Sequence, residues 1–218
     1  MSVRLESAAP SAQIEAPSPR ALVRALQQSS IEVSARPGVA AELGEFFLPD
    51  TEVSITFLPA DDYRRNVSTA AELRRAGFEP ILHVSARQLL SRDELTDFVQ
   101  RAQGEAEARS VVLVAGDAAV QRGPFPSSLA VLETGLLQRH GIERVFLAGH
   151  PEGHSYFDLP EGVALLARKL DAARRGGLAA EIITQFCFDA EPVTSFLREL
   201  DARRIAVPVR IEIGRAHV

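Results

Sequence analysis

Seven short runs of apolar, β-branched residues recur along the chain, and segments with helical signals separate them. Most of these runs are almost continuously hydrophobic, which is typical of strands that are buried on both faces of a parallel sheet. The alternation predicts an α/β fold, a (βα)8 TIM barrel that is incomplete here, with about seven βα units. The predicted strands are Ile31–Ser34, Glu52–Thr56, Pro80–His83, Ser110–Ala115, Arg144–Ala148, Glu181–Thr184 and Val207–Ile211.

The segments between the predicted strands carry signals for the start and the end of helices. Thr69–Glu72 and Ser91–Glu94 match the capping-box pattern, in which Ser or Thr is followed three residues later by Glu. Each of these segments therefore predicts the start of a helix. Gly77, Gly141 and Gly176 stand where helices are expected to end.

Two common phosphate-binding folds are not supported. The first predicted strand is followed by Ala-Arg-Pro-Gly-Val at 35–39, which lacks the G-x-G-x-x-G fingerprint of a dinucleotide-binding fold. The chain also contains no Walker A loop. The barrel therefore remains the predicted architecture.

Composition and charge narrow the class of protein further. The chain has 218 residues, one cysteine and a formal net charge of −5. A single cysteine excludes an internal disulfide framework, and we expect a cytoplasmic protein. An acidic chain is a poor match for nucleic-acid phosphates, and its apolar runs are too short to cross a bilayer. We therefore expect neither nucleic acid nor membrane as a partner, and the sequence leaves a homo-oligomer open.

Polar side chains lie at or near the ends of most predicted strands. Active sites of βα-barrels lie at the carboxyl ends of the strands, so a ring of such residues predicts a catalytic face. Glu32 stands inside the first strand, where a buried carboxyl group needs a partner or a function because its desolvation is costly. The other members of the predicted ring are Thr56, His83, Asp117 after Gly116, His150 after Gly149, and Gln185.

Several of these residues also have a structural interpretation when each is taken alone. Thr56 is a residue type that favours strands, and a histidine such as His83 is about as often hydrogen-bonded in a core as it is a ligand contact. Asp117 follows a glycine, as turn and helix-cap residues often do. The catalytic interpretation therefore depends on the residues occurring together.

The segment from His150 to His154 has histidines four residues apart, as in a helical zinc motif. Pro151 and Gly153 oppose a helix there, so a loop that approaches a ligand closely is favoured and no metal is predicted. Cys187 lies between two phenylalanines and is predicted to be a packed apolar thiol rather than a nucleophile.

Four segments resemble motifs of the methylenetetrahydrofolate reductase family, the flavin-dependent catalytic barrel of one-carbon metabolism. Ala148–His154 (A-G-H-P-E-G-H) is similar to the family's A-Y-P-E-x-H loop, and Ile183–Asp189 (I-T-Q-F-C-F-D) is similar to its I-T-Q-F-F-F-D segment. Leu166–Asp171 resembles the family's L-x-x-K-x-D-A helix, and Gly116-Asp117 resembles the end of its R-G-D turn. The resemblance runs in consistent order from about residue 31 to residue 211, and it is nearest to the short bacterial members that lack a regulatory domain.

The resemblance implies an FAD-dependent oxidoreductase that reduces 5,10-methylenetetrahydrofolate to 5-methyltetrahydrofolate with NADH or NADPH, or that runs in reverse in demethylation pathways. It implies that Glu32 is the general acid that activates the folate substrate. Asp117 is expected to contact the pterin and to tune the flavin, and Gln185 is expected to hold the pterin ring. The implied FAD contacts are Thr56, His83, Gly116, Asp117, Ala148, His150, His154, and, facing the phosphates, Arg168 and Lys169.

The sequence departs from the family's pattern at three places. The family's F-E-F-F-P-P opening is Ile31–Pro37 (I-E-V-S-A-R-P) here, Ala115 replaces the arginine of the R-G-D turn, and His150 replaces the tyrosine of the A-Y-P-E loop. Two alternatives therefore stay open. One is a flavin-independent lyase or aldolase on the same fold, and the other is a binding or regulatory subunit that has lost catalysis.

The domain organisation is expected to be simple. Residues 21–212 are predicted to form the barrel, after a flexible N-terminal tail at 1–20. The chain ends before an eighth βα unit, so we expect the barrel to be incomplete at its C-terminus. Residues 213–218 (I-G-R-A-H-V) resemble a translated sequencing-library adapter and are expected to be non-native.

Overall fold

Seven parallel strands form one sheet in the order in which they occur in the chain. The computed structural model describes residues 18–20, 23, 29–59, 61–116 and 120–213, so most of the predicted tail and residues 214–218 lie outside the described residues. The predicted α/β fold with seven parallel strands is confirmed. The strands are β1 Ile31–Val33, β2 Glu52–Ile55, β3 Glu79–Ser85, β4 Ser110–Val114, β5 Arg144–Gly149, β6 Ala179–Thr184 and β7 Val209–Arg210.

Helices connect the strands and cover one face of the sheet. In the part of the chain that the structure describes, no helix combines the length and the apolar character needed to span a membrane. The helices with described bounds are α1 Val39–Gly44, α2 Tyr63–Arg75, α3 Arg92–Ala106, α4 Ser128–Leu132, α5 Leu136–Arg139, α6 Leu159–Arg175 and α7 Ala190–Ala202, with a 3₁₀ turn at Ala86–Gln88.

One of the two predicted capping boxes starts a helix and the other does not. The Ser91 hydroxyl accepts a hydrogen bond from the backbone N–H of Glu94 at 3.0 Å, which confirms the predicted start of α3. The prediction for Thr69 is wrong, because α2 begins two turns earlier, where the Asp62 carboxylate caps it by accepting from the N–H of Arg64 at 2.9 Å. Thr69 is buried in the middle of α2 instead.

The predicted helix ends at glycines are confirmed. Gly77 follows α2 with φ +90°, and Gly141 follows α5 with φ +85°, a conformation that L-residues with a Cβ rarely adopt. Gly176 caps the end of α6 in the right-handed region, and the left-handed residue there is the next one, Gly177, with φ +77°. The chain thus turns back towards the next strand within a few residues.

Two hydrophobic clusters lie on opposite faces of the sheet. The larger one packs outward-facing strand residues such as Val53 and Leu147 against the helices, including Phe98 of α3. The smaller one lies on the concave inner face and is formed by Ile81, Val112 and Phe146. Both faces of the central strands are therefore buried, which is the physical reason for their nearly continuous apolar sequences.

Four charged side chains form an interior ion cluster on the concave face, made of Glu52, Arg144, Glu181 and Arg210. Glu181 accepts from Arg144 Nη1 at 3.3 Å and from Arg210 Nε at 2.9 Å, and both arginines also donate to Glu52. Both guanidinium groups lie over the Phe146 ring, at 4.8 and 4.7 Å from its centroid. The cluster joins β2 to β5, β6 and β7 across the interior, so the sheet is curled into an incomplete barrel.

The curled sheet is open along one side in the described part of the chain. There, β1 pairs with β2 alone and β7 pairs with β6 alone. The interior ion cluster therefore supplies contacts across a gap that no described strand bridges.

Candidate active site

Three polar side chains from neighbouring strands meet on the concave face: Glu32 of β1, Ser54 of β2 and His83 of β3. Strand register places Glu32 opposite Ser54, and Ser54 opposite Ile81, so His83 lies two residues further along the same face. The Nε2 atom of His83 lies 2.7 Å from Ser54 Oγ and 3.4 Å from Glu32 Oε2. We refer to these three residues as the Glu32 cluster.

Burial shifts the proton affinities of two members of the cluster in opposite directions. It raises the pKa of Glu32 from 4.5 to about 7, with a smaller contribution from the Glu212 carboxylate. It lowers the pKa of His83 from 6.5 to about 4. At neutral pH the contact is therefore not an ion pair, because a neutral imidazole lies beside a carboxyl group that is poised to hold or release a proton.

The raised pKa of Glu32 predicts a pH-dependent stability. The folded protein keeps this proton up to about pH 7, whereas the unfolded chain releases it near pH 4.5. The stabilisation is therefore fully present below pH 4.5 and is lost as the pH rises through about 7. Between acid and alkaline pH, the unfolding free energy of the parent should therefore fall by about 3 kcal/mol more than that of Glu32→Gln. Urea unfolding at a series of pH values measures this difference.

The control for this measurement is Glu133→Gln, which removes an exposed carboxyl group at the end of α4. Its unfolding free energy should follow the parent's at every pH. If the Glu32→Gln curve also runs parallel to the parent's, the carboxyl group is not desolvated in the folded protein.

His83 and Thr56 lie differently from the sequence prediction. β3 continues to Ser85, so His83 lies inside the strand rather than at its end. Thr56 directly follows β2, and its hydroxyl donates to the Val33 carbonyl oxygen at 3.4 Å. Thr56 thus ties the ends of β1 and β2 together, which agrees with the structural interpretation of this residue.

Gly116, Ala148 and Gln185 lie at the carboxyl ends of β4, β5 and β6. Gly116 has φ +88°, and a Cβ added there would lie 3.1 Å from Ser85 Cβ. Ala148 follows Phe146 on the concave face and presents only a methyl group. The N–H of Gln185 donates to the Gly149 carbonyl oxygen at 2.6 Å, and its side chain is exposed. Asp117 lies outside the described residues, so its expected roles stay predictions.

The segment between β5 and α6 is a loop, as predicted. Gly153 has φ +79°, and the backbones of His154 and Phe157 exchange hydrogen bonds at 3.1 and 3.2 Å. The His154 ring stacks on Phe157 at 4.7 Å and lies 5.2 Å from the His150 ring. Beside the loop lies an open groove of about 580 Å³, whose other wall is the first turn of α7. Among the described residues, no three His, Cys, Asp or Glu side chains converge as a metal site would require.

Arg168 and Lys169 are two adjacent cations on α6. Arg168 is exposed, whereas Lys169 is half-buried, and burial lowers its pKa. The neighbouring Asp171 pairs with Arg174 instead, at 2.9 Å. Within the described part of the chain, neither Arg168 nor Lys169 has a carboxylate partner. Two such cations can bind an anionic group.

Cys187 is buried, as predicted, but its surroundings are polar. Its thiol donates to Glu152 Oε1 at 3.4 Å and to the Asp189 carbonyl oxygen at 3.2 Å. Burial, with the Glu152 carboxylate, raises the pKa of this thiol. A thiol held in its protonated form is a poor nucleophile, so the expectation of a non-catalytic cysteine is retained.

Sequence analysis missed two residues that belong to this site. Ser54 contacts His83 directly, and the carboxylate of Glu212, whose N–H donates to Thr184 Oγ1 at 2.9 Å, acts on Glu32 through its charge. A signal for Ser54 was present, because Glu52, Ser54 and Thr56 alternate with apolar residues and so share one face of β2. No comparable pattern marks Glu212.

The chain is similar to known protein structures in its fold. No family model matches the chain. A structure from Burkholderia cenocepacia J2315, described as a "putative lyase/mutase", has a TM-score of 0.57 at 16% sequence identity, covering 90% of this chain and 73% of that chain. A 3-dehydroquinate dehydratase from Geobacillus kaustophilus HTA426 has a TM-score of 0.48 at 14% identity, covering 84% of this chain and 73% of that chain. The first likeness supports the incomplete-barrel fold, and at this identity it shows nothing beyond the fold.

Proposed function

We propose that the chain is an FAD-dependent oxidoreductase that reduces 5,10-methylenetetrahydrofolate to 5-methyltetrahydrofolate with NADH or NADPH. The observation that carries the proposal is the half-buried Glu32 carboxyl group, whose pKa is raised to about 7 on the concave face of the barrel. The choice of cofactor and substrate is supported by the resemblance of residues 148–154 and 183–189 to motifs of the methylenetetrahydrofolate reductase family.

The proposed chemistry requires an acid at the position of Glu32. Opening the five-membered ring of the substrate breaks a carbon–nitrogen bond, and the departing nitrogen needs a proton. A carboxylic acid can deliver that proton at neutral pH when its pKa is raised towards the working pH, as at Glu32. His83 cannot replace it as the acid, because its pKa of about 4 leaves it neutral.

The proposed FAD is supported by side chains at the carboxyl end of β5 and on α6. Ala148, at the carboxyl end of β5, presents only a methyl group on the concave face. On α6, Arg168 and Lys169 offer cations without carboxylate partners in the described part of the chain, which suits a diphosphate. When bound, FAD supplies hydride transfer from NAD(P)H to the folate. The exposed amide of Gln185 offers one donor and one acceptor group to a pterin.

The first experiment measures FAD binding. The purified chain should take up FAD and show flavin absorbance after gel filtration. NADH or NADPH should bleach this absorbance without oxygen, and 5,10-methylenetetrahydrofolate should restore it. We expect Arg168→Glu/Lys169→Glu to weaken FAD affinity by about 10-fold or more, and more strongly at low salt, because two charge-assisted contacts become repulsive.

The matched control is Arg174→Glu/Arg175→Glu, which makes the same change of charge in the last turn of α6. It should leave FAD affinity unchanged. Equal affinities for the parent and the 168/169 variant would mean that these two cations form a solvated helix face and do not bind phosphate.

A flavin-independent reaction on the same fold is the second candidate. A carboxyl group poised near neutral pH beside an imidazole can move protons without a cofactor, as a lyase or an aldolase requires. Failure to take up FAD would favour this candidate. Bound flavin that neither NADH nor NADPH bleaches would favour a binding or regulatory subunit instead.

A further inference from the structure

We infer that Ser54 is a positioning residue: its hydroxyl accepts the Nε2 proton of His83 and so keeps that N–H from bonding fully to the Glu32 carboxyl group. The inference rests on the proposed role of Glu32 as the general acid. Ser54 itself touches neither the substrate nor the cofactor in this assignment, and it acts through His83.

The Ser54 hydroxyl and the Glu32 carboxyl group are both close enough to accept the Nε2 proton of His83, and their distances differ. The Nε2 atom lies 2.7 Å from Ser54 Oγ and 3.4 Å from Glu32 Oε2, so the hydroxyl is the stronger partner. Ser54 is 3% exposed, and its register opposite Glu32 and Ile81 fixes its backbone within the sheet. The Ser54 hydroxyl oxygen can move only by rotation about χ1, and burial of the side chain restricts that rotation.

A proton on Nε2 of His83 is compatible with both the protonated and the ionised form of Glu32. While Glu32 is protonated, the N–H is directed to Ser54. After Glu32 gives its proton to the substrate nitrogen, the same N–H can turn to the carboxylate that remains, without a change of histidine tautomer. Ser54 therefore limits how strongly His83 favours the charged form of Glu32 before the reaction.

The effect of the Glu212 charge on Glu32 does not depend on Ser54. Among the described residues, the groups that act on the Glu32 carboxyl are His83 on β3 and Glu212 after β7. The backbone N–H of Glu212 is bound to Thr184 of β6, and no described hydrogen bond joins Glu212 to Ser54. Removal of the serine hydroxyl therefore changes the contact with His83 and leaves the effect of Glu212 in place.

The test is a carbon-13 NMR titration of the Glu32 carboxyl, assigned by its loss in Glu32→Gln. In Ser54→Ala the freed N–H donates to the carboxylate, so we expect the titration midpoint to fall by about one pH unit. Ser54→Thr keeps the hydroxyl and should keep the parent midpoint. Thermal unfolding of both variants shows that they are folded. A midpoint in Ser54→Ala that stays in place or rises would overturn the inference.

A kinetic readout separates this inference from the proposed function. At pH 7, reoxidation of the reduced flavin by 5,10-methylenetetrahydrofolate should be about five-fold slower in Ser54→Ala, and it should recover at lower pH, where Glu32 is again protonated. Flavin reduction by NAD(P)H should be unaffected. If the midpoint falls but the parent does not use the folate, the proposed function fails and the Ser54 contact stands. If the parent is active and the midpoint stays in place, the Ser54 inference alone fails.

Discussion

Under the proposed function, replacing Glu32 by Gln is expected to slow the reoxidation of reduced flavin by 5,10-methylenetetrahydrofolate by about 100-fold or more, the usual effect of losing a general acid. The amide keeps the size of the side chain but has no proton that it can give to the departing nitrogen. FAD binding and flavin reduction by NAD(P)H should remain, because neither step needs this acid. Stopped-flow absorbance of the flavin follows the two half-reactions separately.

The pH dependence of the parent enzyme provides an internal check. The rate of folate reduction should fall as the pH rises through about 7, where Glu32 loses its proton. The exposed variant Glu133→Gln is the control and should keep the parent profile. If the reduced flavin of Glu32→Gln is reoxidised at the same rate as that of the parent, Glu32 is not the acid. The role of the acid would then pass to Asp117.

Replacing Glu52 by Gln is expected to lower the free energy of unfolding by about 3 kcal/mol, since it leaves two half-buried arginines with a single carboxylate partner. Glu52 accepts from both Arg144 and Arg210, and its side chain is 20% exposed. Burial alone would raise the pKa of Glu52, but its bonds to Arg210 and Arg144 outweigh burial and lower it. Urea unfolding at neutral pH measures the loss.

The sign of the pH dependence at Glu52 is opposite to that at Glu32. A carboxyl group with a lowered pKa stabilises the fold above its unfolded pKa, and this stabilisation is lost as the pH falls through the folded value. The control is Asp171→Asn, which breaks the exposed Asp171–Arg174 pair and should cost about 0.5 kcal/mol or less. If Glu52→Gln lowers the free energy of unfolding no more than Asp171→Asn does, the interior ion cluster does not hold the curled sheet together.

Helix and strand positions were predictable where the signal is local. Ser91 caps α3 as its capping box predicts, and each glycine stop ends a helix. The failure at Thr69 has a physical cause. Asp62 is an equally good cap two turns earlier, and Tyr63 and Val67 are buried there, so burial of the earlier turns decided where α2 begins.

The candidate site was predictable only in part. Glu32 stands out in the sequence because a carboxyl group in an apolar strand is costly. The same argument applies to Glu52, Arg144, Glu181 and Arg210, but each of them stands at the end of an apolar run, where a charged residue is as well explained by exposure to solvent. Alternation in β2 shows that Glu52 and Ser54 share a face, and it cannot show which face lines the interior.

The sequence by itself determined the class of the fold, the order of its strands along the chain and the presence of an acid in β1, because apolar periodicity and capping act over a few residues. The tertiary structure decided which polar groups meet. Ser54 and His83 are 29 positions apart, and Glu52 and Arg210 are 158 positions apart. Strand register sets the first contact and the curl of the sheet sets the second. The proton affinity of Glu32 follows from both, since burial and neighbouring charges exist only after the strands have assembled.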